Sequence, residues 1–474
     1  MSETVEAILT EREKLLNLLQ NKLETAYHLN RQIVSFQANK SQPIYRWFKY
    51  KEGFSSVLVK YFLEKYSKKS GKLLDPFAGV GTTLFAGQEL GWDSYGIELL
   101  PVGAFVMEAR QAINEVKIED LKQSVKNLWE SLHEMKEPKV LINHISITKD
   151  AFPDDTENYL NKYLNYCTQF SDKPLSTILR FAAFSVLEEI SYTRKDGQYL
   201  RWDYRSKRNL NGKPFDKGRI LSFQEAIKLK LNQIIEDLSG QSTNNLFDQL
   251  EKKDINELPV KIIEGSCLEE LPKLESNEFD FIITSPPYCN RYDYTRTYAL
   301  ELVYLGYNNE QVRDLRQTML SCTVENKEKI ESLNTLYTSL GQSEVFQKIT
   351  EVYSNSGAMN EVNSTLEELN RIGSLNNKNI ARMVKNYFLE MCFVIYEMAR
   401  VTKSGGYCVM VNDNVRYGGE EIPVDLILSE FAENFDFEIE KIFVLPKGKG
   451  NSSQQMGNYG RTEIRKCVYL WRKK

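Results

Sequence analysis

Four consecutive residues, Ser285-Pro286-Pro287-Tyr288, bring together a hydroxyl, a restrained carbonyl and an aromatic face. The ring of Pro287 restricts Pro286 and helps aim the Pro286 carbonyl. Tyr288 offers a surface on which a planar ring can stack. By itself such a string is normally a rigid surface turn; at the end of a buried strand it can accept hydrogen bonds from a donor on a flat ring. It needs neither a metal nor a covalent intermediate, because positioning does most of the work. Far upstream lies a second run, Leu74-Asp75-Pro76-Phe77-Ala78-Gly79-Val80-Gly81-Thr82-Thr83. Gly79 and Gly81 let the backbone approach a ligand that side chains would block. A helix starting at Thr82 turns its amide end toward that ligand and favours a carboxylate there. Glu98 follows Asp75 by about 23 residues, a spacing that suits an acceptor for two ribose hydroxyls. The third glycine of GxGxxG is missing and no Lys follows the loop. That argues against NAD and ATP and suits a nucleoside without phosphates.

The elements that position these residues read as an α/β fold with a doubly wound sheet. Leu73-Leu74 ends a strand at Asp75. A helix follows from Thr82 to about Leu90, with Gly91 to stop it, and Tyr95 to Glu98 ends the next strand. This is one βαβ unit. From about 102 to 258 the chain is charged and helical in pattern. The sheet resumes at Val260 to Ile263 and at Phe279 to Thr284, whose apolar run leads into Ser285. A second polar, helical insertion covers 306–379. A helix from Ile380 to Val401 and a strand from Tyr407 to Val411 return to the sheet. Ile439 to Leu445 and Cys467 to Trp471 are expected as an antiparallel hairpin at its edge. Residues 1 to about 40 read as one amphipathic helix, with Ile8, Leu15, Leu16, Leu19 and Leu23 on one stripe. It is expected to pack on the main domain or to mediate dimerisation.

Composition sets outer limits. The 474 residues, 42% of them hydrophobic, suffice for two or three lobes. A net charge of -4 does not announce a nucleic-acid binder, but local patches decide phosphate contact. The seven cysteines form no CxxC pair and read as free thiols in a reducing cytoplasm. The three histidines lie far from both motifs, which argues against a zinc site or a His-based triad. Neither a membrane span nor a signal peptide is apparent.

The two motifs together resemble those of S-adenosylmethionine-dependent methyltransferases that modify exocyclic amino groups of DNA bases. The resemblance covers residues 44–101, 260–305 and 380–474. It implies a Rossmann-like methyltransferase sheet and S-adenosyl-L-methionine as cofactor. It implies cofactor contacts from Asp75, Phe77, Ala78, Gly79, Gly81, Thr82, Thr83 and Glu98, and catalysis by Ser285, Pro286, Pro287 and Tyr288. Tyr288 would stack on a base taken out of the helix. Arg46 to Ser55 resembles the segment that closes over the methionine carboxylate, which adds Phe54 and Ser55. The family's adenine pocket has Gly-Asp where this chain has Gly265-Ser266-Cys267. Ser266 and Cys267 are assigned there without the acid. Serine before the two prolines is usual for cytosine N4 enzymes, Asp or Asn for adenine N6 enzymes. Adenine N6 stays the near alternative, and an RNA base amino-methyltransferase or a non-catalytic scaffold the more distant ones. Asn412 or Asp413, ending the strand after Gly405-Gly406, could stand beside the target base. The cofactor motif precedes the catalytic one, whereas many N4 enzymes have the reverse order.

DNA contact is expected from two basic stretches. Tyr192 to Arg219 carries nine Lys or Arg against three Asp, interleaved with aromatics. Pro446 to Lys474 carries eight against one Glu. The residues assigned are Arg201, Arg205, Lys207, Arg208, Arg291, Lys447 and Lys449. The division expected is an N-terminal helix (1–43), a catalytic domain (44–101, 259–305 and 380–474), an insertion that recognises the target (102–258) and a second helical insertion (306–379). Double-stranded DNA, a cognate restriction endonuclease, a bacterial cytoplasm and a monomer complete the expectation.

Overall fold

The computed structural model describes residues 9–196, 199–208, 213–242, 258–446 and 463–474. Its frame is a mixed, mostly parallel eight-stranded sheet built from β1 (Leu23–Thr25), β2 (Lys72–Asp75), β3 (Asp93–Glu98), β6 (Lys261–Glu264), β7 (Phe279–Thr284), β8 (Thr402–Asp413), β11 (Phe437–Val444) and β12 (Lys466–Lys473), in the order β1-β11-β12-β8-β7-β2-β3-β6. Two small ribbons lie outside it, β4 (Thr193–Asp196) with β5 (Tyr199–Trp202) and β9 (Val415–Tyr417) with β10 (Glu420–Ile422). From β2 the sheet winds one way through β3 to β6 and the other way through β7 to β8. The crevice beyond the carboxyl ends of β2 and β7 is therefore a topological switch point, where such sheets bind ligands.

The central strands are apolar on both faces because helices cover both. Leu73, Phe281, Ile283, Val409, Val411, Val468 and Leu470 pack toward the helix Ser56–Tyr66. Their neighbours Leu74, Ile282, Cys408, Met410, Tyr469 and Trp471 pack toward the helices Ile380–Val401 and Val424–Asn434. The strand Phe279–Thr284 and the helix Ile380–Val401 end where the sequence predicts. The first insertion is largely helical. It shares one core with Trp47, Phe48, Val80 and the segment Tyr298–Tyr304 and so presses directly on the switch-point loops. The second insertion supplies three helices, Ile330–Ser339, Ser343–Asn355 and Gly357–Arg371, that extend the core beneath Ile380–Val401, while its first helix, Asn309–Thr318, buries Val312 and Leu315 in the core of the first insertion. Among the described residues, no helix is long and apolar enough to cross a membrane.

Two expectations are corrected. The N-terminal helix runs only from Glu11 to Leu19. A short 3-10 turn follows, and Leu23–Thr25 pairs in parallel with β11. Strand pairing wins over helical periodicity here, and Asn30 then accepts from the amides of Gln32 and Ile33 in a turn. Leu15 and Leu19 are buried, and Arg12 bonds Glu361 at 2.6 Å, so this helix is fastened to the second insertion. The hairpin of β11 and β12 is antiparallel as expected, but it is not the sheet edge. β12 alone is reversed and inserts between β8 and β11, and β1 forms the edge.

Candidate active site

An open cavity of about 790 Å³ fills the switch point. Phe54, Asp75, Phe77, Ala78, Gly79, Thr82, Glu98, Ser266 and Cys267 line it, together with Ser285 and Pro287. Gly79 and Gly81 take φ of +54° and +75°, which permits the tight turn between β2 and the helix Thr82–Gln88. A side chain on Gly79 would stand 3.1 Å from the Tyr50 ring at the cavity wall. A side chain on Gly103, in the helix Pro101–Gln111, would collide with the Gly79 carbonyl oxygen. Backbone thus meets backbone behind the loop.

Glu98 accepts from the amides of Gly79 and Leu100, each at 2.6 Å. Each carboxylate oxygen keeps a further lone pair. Burial outweighs those two hydrogen bonds and pushes the carboxyl up to about 8. Asp75 has a different task. Its oxygens accept from Thr284 and Thr83, each at 2.7 Å, and from the Phe77 amide at 3.0 Å. It ties the ends of β2 and β7 to the glycine loop, and burial raises it to about 6.

Three expected cofactor residues stand behind the cavity wall. Ser55 caps the helix Ser56–Tyr66 through Leu58 N and donates to the Ile33 carbonyl at 2.6 Å. Thr83 is buried against Asp75. A side chain on Gly81 would meet Met107 and Phe85, not the ligand space. Conversely, the wall includes Tyr50, Glu52, Gly53 and Tyr294, and Met319 and Leu320 from the second insertion. Tyr50 and Glu52 lie within the Arg46–Ser55 segment already singled out. Nothing in the local pattern around Met319 announces its place.

A second, wider cavity of about 1820 Å³ adjoins the first, and Glu52, Gly53 and Tyr294 line both. Tyr288 faces this second space, with Asn290, Asp413 and Lys466. The tetrapeptide therefore crosses the partition, Ser285 and Pro287 on one side and Tyr288 on the other. Ser285 Oγ donates to the Val411 carbonyl at 3.1 Å, the shorter of its two contacts, with Tyr288 Oη at 3.4 Å. Its proton is engaged, so its lone pairs are left as acceptors. Burial raises the Tyr288 hydroxyl far above the ordinary range, so it stays neutral. Tyr417 donates to the Cys289 carbonyl at 2.7 Å and fixes the turn that follows. Asn412 points into the core, donating to Tyr387 at 3.0 Å, whereas Asp413 borders the second cavity and bonds Lys466 at 3.0 Å.

The expected DNA-contacting cations divide. Arg205 grips the buried Asp203 with two bonds, at 2.6 and 2.9 Å, and holds that carboxylate below its usual range. Lys207 bonds Asp154 at 2.8 Å, and Arg208 caps the Lys149 and Ser146 carbonyls while covering Trp202. These three brace the first insertion. Arg201 lies over Phe215 on an exposed ribbon. Arg291 takes φ +68° and bonds Asn376 at 3.0 Å, just after the Ser285–Tyr288 turn. Lys447 and Lys449 fall outside the described residues.

Comparison with known proteins agrees with this geometry. The DNA methylase family N6_N4_Mtase matches residues 12–102. The Type II methyltransferase M.AvaI of Nostoc sp. is 46% identical over 457 residues, 96% of this chain and 91% of its own length. The Type II methyltransferase M.BsoBI of Geobacillus stearothermophilus is 43% identical over 480 residues, 98% of this chain and 92% of its own. The Type II methyltransferase M.MvaI of Kocuria varians is 23% identical over 474 residues, 95% and 96% of the two chains. No solved structure matches. Near-full-length similarity of this degree, in a chain whose glycine loop opens on a nucleoside-sized cavity, establishes that it belongs to the S-adenosylmethionine-dependent Type II DNA methyltransferases.

Proposed function

We propose that this enzyme methylates the N4 amino group of cytosine at a specific site in duplex DNA, as the modifying half of a restriction–modification pair. The observation that carries the reading is the partition. A tetrapeptide with an acceptor hydroxyl stands between a cofactor-sized cavity and a wider one open to a second ligand. Bound S-adenosylmethionine supplies an electrophilic methyl group. Ser285 Oγ and the Pro286 carbonyl accept the amino protons, which draws the nitrogen toward tetrahedral geometry and frees its lone pair. Tyr288 stacks on the extruded base. Glu98 holds the ribose hydroxyls, and Phe54, Phe77 and Ala78 flank the nucleoside. Serine at position 285 favours cytosine over adenine. Residues 44–101, 259–305 and 380–474 form the catalytic unit, and the first insertion presents the target. Transfer of labelled methyl from the cofactor to duplex DNA, but not to tRNA, is the expected result. Labelling of tRNA alone would overturn the substrate assignment.

Cofactor binding is expected to depend on pH through Glu98. Ribose hydroxyls donate to the carboxylate, so binding favours the ionised form, and the free site holds its proton up to about 8. Affinity should rise with pH toward that value and then level off, by at most about tenfold per pH unit. Calorimetric titration across pH 6–9 checks this, with Glu98→Gln as control. The variant should bind more weakly and with a flat profile, and an unchanged slope would assign the dependence elsewhere. On folding the same shift has the opposite sign. The native state keeps a proton that the unfolded chain releases above its ordinary value, so the contribution to stability is lost as pH rises through about 8.

A further inference from the structure

The ribbon of β4 and β5 has two unlike faces. Inward, Lys195 is 4% exposed and bonds Glu301 at 2.5 Å, itself 1% exposed, beneath the Tyr298 ring. Lys51, on the wall of the second cavity, donates to the Lys195 carbonyl at 2.6 Å. Tyr298 and Tyr292 both donate to Glu52, which borders both cavities. The inner face is thus locked, through buried polar contacts, to the wall beside the reaction site. An ion pair so deep is costly to desolvate and to break, so the ribbon holds a fixed place relative to Tyr288.

Outward, Arg194 and Arg201 stand opposite each other in the ladder, and both guanidinium groups lie against Phe215, at 5.3 and 4.1 Å from the ring centre. Phe215 is itself pinned to the base of the ribbon, where its carbonyl accepts from the Tyr204 amide at 2.9 Å. Tyr199 is exposed on the same face. Among the described residues, Arg201 has only a half-exposed ion pair, with Asp196 at 3.3 Å, and Arg194 donates once, to the Lys217 carbonyl. Exposed pairs of that kind are weak, so both forks can change partners.

We propose that this ribbon reads bases: Arg194 and Arg201, paired across it and braced on Phe215, recognise guanine edges in the major groove of the target duplex. A two-stranded ribbon fits that groove, and an arginine fork matches guanine O6 and N7 as a bidentate donor. Stacking on an aromatic ring holds a guanidinium plane in place, as a bidentate contact requires. The inference rests on the reading of this protein as a DNA methyltransferase and names the groups that select its site.

The test uses the full chain, expressed in cells free of DNA methylation, with the methylated positions sequenced across the genome. Wild type should mark one motif. R194K and R201K keep the charge but lose the fork. Each should still methylate, with preference for guanine at one position falling by roughly tenfold or more and the other positions unchanged. An unchanged motif in both variants, with lower or equal yield, would reduce the two arginines to phosphate contacts or bystanders and overturn the proposal. A check that needs no variant uses wild-type protein on duplexes with 7-deazaguanine, which lacks N7, at one motif guanine at a time. Loss of roughly tenfold or more at a guanine supports the ribbon only if the matching lysine variant, where it folds, relaxes that same position. No loss at any guanine overturns it. Adenine methylation at a wild-type motif would overturn the cytosine assignment and leave the ribbon standing. No methylation of DNA by wild type would overturn both.

Discussion

Ser285→Ala is expected to lower kcat by about two to three orders of magnitude, the range found when one positioned hydrogen-bonding group is removed from a reaction centre. Cofactor affinity should be little changed. The argument is geometric. The hydroxyl proton is held by the Val411 carbonyl at 3.1 Å, so the side chain meets the amino group as an acceptor. Alanine removes that acceptor and alters only one edge of the cofactor cavity. Tyr288 supplies a ring, and its hydroxyl, kept neutral by burial, makes only a long contact with Ser285 Oγ at 3.4 Å. Tyr288→Phe should therefore keep most of the activity. Tyr288→Ala should fall by about five- to 150-fold, since stacking contributes about 1–3 kcal/mol per base. Single-turnover methylation with cofactor titration separates the two terms. Full activity in Ser285→Ala, or equal loss in the Phe and Ala variants of Tyr288, would remove these roles.

The second large effect lies outside the cavity. Gly103 does not line it, yet Gly103→Ala should weaken cofactor binding by roughly tenfold or more and destabilise the fold by about 1–3 kcal/mol, as overpacking does. Its added carbon would strike the Gly79 carbonyl oxygen and the Glu98 side chain, which is 3.0 Å from the same point. The obstacle on one side is backbone and cannot rotate away. Either the helix Pro101–Gln111 retreats or the glycine loop moves into the ligand space, and Glu98 loses its place in both cases. Calorimetry and thermal denaturation measure the two terms. Wild-type affinity in this variant would show that the loop tolerates displacement.

How far the chain could be read from sequence follows from which forces were local. Phe279–Thr284 and Ile380–Val401 were legible end to end, because a short apolar run bounded by a proline turn and an amphipathic helix are each local signals. Leu23 continued the helical stripe of Leu15 and Leu19, but its backbone found a partner in β11, and no local pattern records that pairing. The same holds for β12, whose place between β8 and β11 is a matter of topology. At the site, Gly79 and Glu98 were visible because a tight turn and an acceptor at a strand end require those residue types. Ser55 caps a helix, a role that a hydroxyl near a ligand segment does not distinguish in sequence. Met319 and Leu320 reach the cavity from an insertion, across a long stretch of chain. Charge counting found the basic stretch from Tyr192 to Arg219 but could not tell Arg205, committed to Asp203, from Arg201, whose fork can change partners.

The central claim is the reaction itself, methyl transfer to an exocyclic cytosine nitrogen. It is tested most directly by expressing the protein in methylation-free cells, digesting their DNA to nucleosides and quantifying the products by mass spectrometry. N4-methylcytosine is the expected product, and it should fall sharply in Ser285→Ala. N6-methyladenine in its place would contradict the base assignment.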